Sequence, residues 1–329
     1  MERKQALIAW TQEILNDSEC YIKPASNDAS FRSYWRVFSR GTTYIVMDAP
    51  TEHEDCKPFI DISKRLVKSG INAAKVLKQE LTQGFLLLND LGAVQYLSVL
   101  NKHSSQELYL DALNSLHDMQ EKTAQNNLPI YDMTLLKQEL ELFTDWFIKK
   151  HLAIALNTSQ KTIIQNCQHL LITNALEQPQ TFVHRDYHSR NLMKTKTNNP
   201  GVLDFQDAVI GPATYDLVSL LRDCYIAWDN QFVCQLSDEF RQKFNHLNNS
   251  SISAGQWQRW FDLMGIQRHM KAVGIFCRLN YRDKKPGYLK DINLTLCYIK
   301  TIGANYPELK DFIQLIDSIS PTMESLCEQ

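Results

Sequence analysis

The sequence lacks any long apolar run. Its longest ones, such as Tyr44 to Met47 and Phe85 to Leu88, suit buried strands and are far too short to cross a bilayer. It lacks charge of one dominant sign. With 35 Lys and Arg against 37 Asp and Glu, the formal net charge is −2. A nucleic-acid binder usually carries a basic face, and an anionic membrane calls for a polybasic patch, so neither partner is expected. A leader is not expected, because Glu2, Arg3, Lys4 and Glu13 interrupt the first fifteen residues, and a cytoplasmic location is expected. None of the eight cysteines forms a C-x-x-C pair, which argues against disulfide scaffolds and zinc sites and for buried reduced thiols.

What is present is a chain of 329 residues, 44% hydrophobic, enough for one large domain or two lobes with cores of their own. Residues 5–16 place Leu7, Trp10 and Ile14 on one helical face. Residues 31–38 and 42–49 are aromatic and β-branched and meet at Arg40-Gly41, a hairpin signal. Residues 55–69 read as a helix ending at Gly70, and two short strands follow around Gln83-Gly84. From about residue 93 the pattern is helical, near 106–120, 133–150, 161–176 and again from Tyr215 to Trp228. A strand-and-loop patch at 181–212 interrupts it. This predicts an α+β architecture: a β-rich lobe over 1–90 and a larger, mainly helical lobe over 91–329, with the chemistry at the irregular patch.

That patch reads FVHRDYHSRNLM, then GVLDFQDA. His184, Arg185, Asp186 and Asn191 fill the pattern H-R-D-x-x-x-x-N, and Asp204 follows a second apolar stretch. Phosphoryl transfer needs a carboxylate to orient the attacking hydroxyl and oxygen ligands that leave Mg²⁺ room for phosphate oxygens. Asp186 is the candidate base, and Asn191 with Asp204 the candidate Mg²⁺ ligands. His184 reads as a structural support even inside the motif; Asp204 alone could be a helix cap, a reading that the ordered set makes improbable. A metal-dependent hydrolase with His184, Asp186 and His188 as ligands is the rival from another class, and it leaves Asn191 and Asp204 unexplained.

HRDYHSRN, LDFQD and GPATYDLVSLLRD together resemble the aminoglycoside phosphotransferase and choline kinase superfamily. The resemblance implies a protein-kinase-like two-lobe fold, ATP with Mg²⁺, a small-molecule acceptor and a supporting role for Asp216. Further segments, NDASFRSYWRV, VMDAPTEHEDCKPF, LLLNDLG and GIFCRLNYRDKKPGYL, resemble the bacterial anomeric kinases for N-acetylmuramate and N-acetylglucosamine. That likeness spans nearly the whole chain and implies a sugar hydroxyl as acceptor in cell-wall recycling, with a monomer or weak dimer expected. Homoserine, choline or aminoglycoside acceptors are the alternatives within the fold.

The chain departs from the protein-kinase pattern at the phosphate cradle. SNDASFRS has no glycine, leaving Ser26, Ser30 and backbone amides for phosphate oxygens. Met47 stands where a strand lysine is expected, and Phe59 or Asp61 where its glutamate partner should lie. A pseudokinase would look like this. Arg32 and Arg36 are the candidate replacement cations, because a guanidinium matches phosphate through a planar fork of donors. For the acceptor the candidates are Asp207, Arg222, His188 and Arg190, with Arg222 suited to a lactyl carboxylate.

Overall fold

A computed structural model describes residues 2–27 and 31–320 and falls into two compact units. The first comprises residues 1–124 and 190–208; the second comprises 125–189 and 209–329. The chain therefore leaves the second unit inside the H-R-D-x-x-x-x-N segment, between Ser189 and Arg190, and returns after Ala208.

In the first unit, helix α1 (Glu2–Leu15) precedes strands β1 (Tyr21–Asn27), β2 (Ser33–Ser39) and β3 (Thr42–Asp48), helix α2 (Cys56–Lys68), and strands β4 (Val76–Glu80) and β5 (Phe85–Asn89). The strands form one antiparallel sheet in the order β1-β2-β3-β5-β4. Alternation along the strands puts Val37, Val46, Phe85 and Leu87 on one face, where they cluster with Leu7 and Trp10 of α1. The expected hairpin is β2–β3, in register from Ser33↔Asp48 to Ser39↔Thr42. Strand β1 was not legible in the sequence. It carries Pro24 beside a register shift, and only an edge strand tolerates that.

Helix α2 starts on the Asp55 side chain, which accepts from the Lys57 amide, and ends before Gly70 at φ +84°. Helices α3 (Tyr96–Val99) and α4 (Ser105–Lys122) complete this part.

The second unit opens with α5 (Met133–Leu142), which continues as a π-helical segment over Phe143–His151, and α6 (Thr158–Leu176), closed by an Asn157–Gln160 capping box. Strand β6 (Gln180–Val183) then leads into the HRD segment. The first unit supplies the next hairpin, β7 (Leu192–Met193) with β8 (Gly201–Val202). Back in the second unit, β9 (Val209–Pro212) pairs with β6, and α7 (Tyr215–Leu221), α8 (Asn230–Asn248), α9 (Ala254–Tyr281), α10 (Ile292–Gly303) and α11 (Lys310–Ile319) follow.

The helix expected from Tyr215 to Trp228 stops at Leu221. Asp223 instead turns its carboxylate to the amide of Ser189 (3.0 Å), 34 residues away, and to that of Tyr225 (3.1 Å), a local bond that competes with the helical ladder.

The cysteines depart from expectation at one place. Cys20, Cys56, Cys167, Cys224 and Cys277 are buried free thiols and Cys234 is half-buried and free, but Cys297 is disulfide-bonded. Spacing along the chain carries no record of such a tertiary pairing.

Helix α9 is buried along most of its 28 residues. It approaches the end of α5 so closely that a Cβ on Gly274 would lie 2.4 Å from the carbonyl carbon of Leu142. Gly274→Ala should therefore destabilise the protein by at least about 1–3 kcal/mol, as overpacking does. The check is a lower denaturation midpoint in urea at an unchanged slope.

Candidate active site

In the second unit, the HRD segment hangs from one carboxylate. Asp216, in the first turn of α7 and fully buried, accepts the amide N–H of His184 at 2.6 Å and that of Arg185 at 3.0 Å. Arg185 has φ +77°, a backbone state that a side chain disfavours and that these bonds hold in place. Its guanidinium pairs with Glu139 and lies over the Tyr131 ring. The Asp186 amide donates to His184 Nδ1 at 3.2 Å, so that nitrogen carries no proton and the imidazole is fixed in one tautomer. His184 is thus a support for the loop.

Asp186 lines a cavity of about 80 Å³ together with His188, Tyr215 and Tyr225. Cys224 and one face of α9 form the rest of the wall, the helix contributing Arg268, Lys271, Ala272, Ile275 and Phe276. Burial pushes the Asp186 carboxyl up. The nearby Lys271, His188, Arg268 and Arg185 outweigh it and hold the group below the usual carboxylate range. Lys271 remains protonated for the converse reason: burial disfavours its charge, but Glu139 at 2.9 Å more than restores it. Asp216 differs. Burial raises it to about 7 against the pull of its two amide donors.

In the first unit, β7 and β8 bring Asn191 and Asp204 together. The Leu203 amide bonds the Asn191 carbonyl (3.0 Å), and Asn191 Nδ2 lies 3.4 Å from Asp204 Oδ2. Asp204 has φ +60°, and Gln206 Nε2 donates to its Oδ1 at 2.9 Å. One amide oxygen and one carboxylate form a hard-oxygen donor pair that fits Mg²⁺, which keeps other positions for water and phosphate. Among the described residues no group of three or more His, Cys, Asp or Glu is placed to hold a metal, as the hydrolase reading would need.

The remaining candidates are spread over both units. Ser26 lies on β1, and Ser30 lies outside the described residues. Arg32 donates twice to Glu54 (3.0 and 2.9 Å), and Arg36 binds Asp90 (2.7 Å) and the Gly92 carbonyl. Met47 is fully buried opposite Leu86, and Phe59 packs on Phe205 at 4.8 Å between ring centres. Asp61, the other residue at the partner position, is exposed and pairs with Arg65 at 2.8 Å, so neither expected position contributes to a buried lysine–glutamate pair.

His188 lines the cavity. Arg190 lends its carbonyl to Gln95 (2.9 Å), and Asp207 is exposed, 3.5 Å from Gln206 Nε2. Arg222 is buried, donates to Asp262 at 2.6 Å and lies over Phe261. Sequence reasoning missed Arg268, Lys271 and Glu139. The available signal was two cations three apart in the apolar stretch QRHMKAVGIF, where a surface helix would carry them on a polar face.

The family model "Phosphotransferase enzyme family" matches residues 22–248. An N-acetylmuramate/N-acetylglucosamine kinase of Pseudomonas putida is 39% identical over 95% of this chain and 96% of its own length. Its namesake in Pseudomonas aeruginosa is 41% identical over 92% and 89%. Among solved structures, a choline kinase of Streptococcus pneumoniae superposes with a TM-score of 0.64 at 10% identity, covering 93% of this chain and all of that one, a likeness of fold.

Asp216→Asn should lower kcat about 10- to 100-fold, because the new NH₂ opposes one of the two amide donors and displaces the loop. It should also change the pH dependence of stability. With a native pKa of about 7 against 3.8 unfolded, the folded wild type binds the extra proton between those values, so this contribution is present at low pH and lost as pH rises through 7. Denaturation at pH 5 and pH 8 should show the wild type's advantage over the variant shrinking at the higher pH.

Proposed function

The chain belongs to the phosphotransferase enzyme family, and on that premise we propose that it moves the γ-phosphate of ATP to the anomeric hydroxyl of N-acetylmuramate or N-acetylglucosamine. The observation that carries the phosphotransfer is the Asp186 carboxylate, held ionised on a cavity wall by surrounding cations. The near-full-length identity to the two Pseudomonas enzymes supports the amino sugar.

Asp186 accepts a hydrogen bond from the acceptor hydroxyl and orients its lone pair toward the phosphorus. In a loose transition state the hydroxyl proton leaves late, so a carboxylate of low basicity is adequate as an orienting group and final proton acceptor. His184, through its fixed tautomer, and Asp216, through two amides, keep the carboxylate in place. Mg²⁺, when bound with the nucleotide, would neutralise phosphate charge, with Asn191 and Asp204 as the residues that hold it. No helix of the described residues is long and apolar enough to cross a membrane.

Met47 and Phe59 favour a second reading, a nucleotide-binding protein without turnover, because neither can take the place of the lysine–glutamate pair.

Incubation with Mg²⁺-ATP and each sugar, followed by ³¹P NMR, separates the two. The expected result is a sugar phosphate coupled to the anomeric proton; ATP left intact with every acceptor would support the second reading. Asp186→Ala should lower kcat about 10²- to 10⁴-fold while leaving ATP affinity nearly unchanged in a calorimetric titration. Normal turnover by this variant would remove Asp186 from the mechanism.

A further inference from the structure

The cavity wall provided by α9 has a division of labour that the phosphotransfer reaction does not require. Residues 268, 271, 272, 275 and 276 recur at the spacing of a single helical face. The N-terminal end of that stripe is cationic and the C-terminal end is apolar.

The two cations are not equivalent. Lys271 is engaged, 2.9 Å from Glu139 and 2.9 Å from the Tyr215 hydroxyl. Arg268 is 6% exposed, and its one hydrogen bond among the described residues goes to the Cys224 sulfur at 3.5 Å, a weak acceptor. No carboxylate lies within ion-pair distance of its guanidinium among the described residues, although Asp186 and Asp223 are near enough to favour its charge. A buried guanidinium without a fork partner is costly to maintain unless an anion completes it. A planar carboxylate matches its donors best.

We propose that Arg268 is a specificity-determining residue: its guanidinium binds the carboxylate of an acidic amino sugar, with the alkyl part of the acid-bearing arm against Ile275 and Phe276. This rests on the amino-sugar reading above and goes beyond it by naming the group that recognises the acid. It places recognition on the same wall as Asp186, so an acid bound there brings the rest of the sugar toward the base. The other anion that could meet a guanidinium in a kinase is a phosphate of the nucleotide, and the experiment distinguishes the two.

The wild type is assayed with N-acetylmuramate, with its uncharged lactyl amide and with N-acetylglucosamine; Arg268→Gln and Arg268→Lys are then assayed with the same three. The wild type should favour the free acid over its amide about 10- to 100-fold in kcat/KM, mainly through KM, the range expected for a charge-assisted fork. Arg268→Gln should abolish that preference, and Arg268→Lys should keep part of it.

A wild type indifferent to the amide substitution overturns the proposal without recourse to any variant. So does an Arg268→Gln enzyme whose ATP KM rises while its preference for acid over amide persists, because the anion is then a phosphate. Turnover of neither sugar by the wild type removes the amino-sugar reading, and this proposal with it. Turnover of both with no preference for the acid removes the proposal alone.

Discussion

The site depends on one fully buried carboxylate that is not among the residues lining its cavity. Asp216 gathers the amides of His184 and Arg185 and so determines where the next residue, Asp186, can be. A short loop with a left-handed arginine would not hold this form by propensity. It holds because a fully buried acceptor satisfies two donors that would otherwise be orphaned, and leaving such donors unmet costs more than making the bonds gains. The burial that raises the Asp216 pKa to about 7 also keeps water from competing for those amides.

Around this anchor the second unit sets out charges in a connected order. Glu139 takes both Arg185 and Lys271, which brings α5, the HRD segment and α9 to one point. The surplus of positive charge on the cavity wall keeps Asp186 ionised despite its surroundings. The same surplus leaves Arg268 available for an anion brought by a ligand. A network of this kind tolerates loss of one member poorly, since each removal leaves a buried charge without its partner.

The first unit shows how a phosphate-handling fold can omit a standard ion pair. Met47 and Phe59 are buried and apolar, and Asp61 is exposed and paired with Arg65, so no buried charge is left alone. The half-buried cations of this sheet are committed locally, Arg32 to Glu54 and Arg36 to Asp90. These pairs hold the residue before β2 to the segment after β3, and β2 itself to the segment after β5. The Asn191–Asp204 donor pair belongs to the same unit, supported by the short β7–β8 hairpin.

The sequence by itself determined the chemistry-bearing residues whose spacing is local. His184, Arg185, Asp186 and Asn191 lie within one octapeptide, and the hairpin, α1 and α2 follow from periods of two and 3.6 residues. It did not show β1, because Pro24 breaks the strand pattern, nor the early end of α7, because Asp223 is captured by residues outside its own helix. Nor did it show which arginine lines the cavity. Arg222 and Arg268 are alike in sequence as cations within largely apolar segments. Only tertiary structure gives Arg222 the Asp262 carboxylate at 2.6 Å and leaves Arg268 on the cavity wall with a thiol. Local spacing decides which groups are present, whereas partners 40 or more residues apart decide which of them are already satisfied, and that difference is set by packing alone.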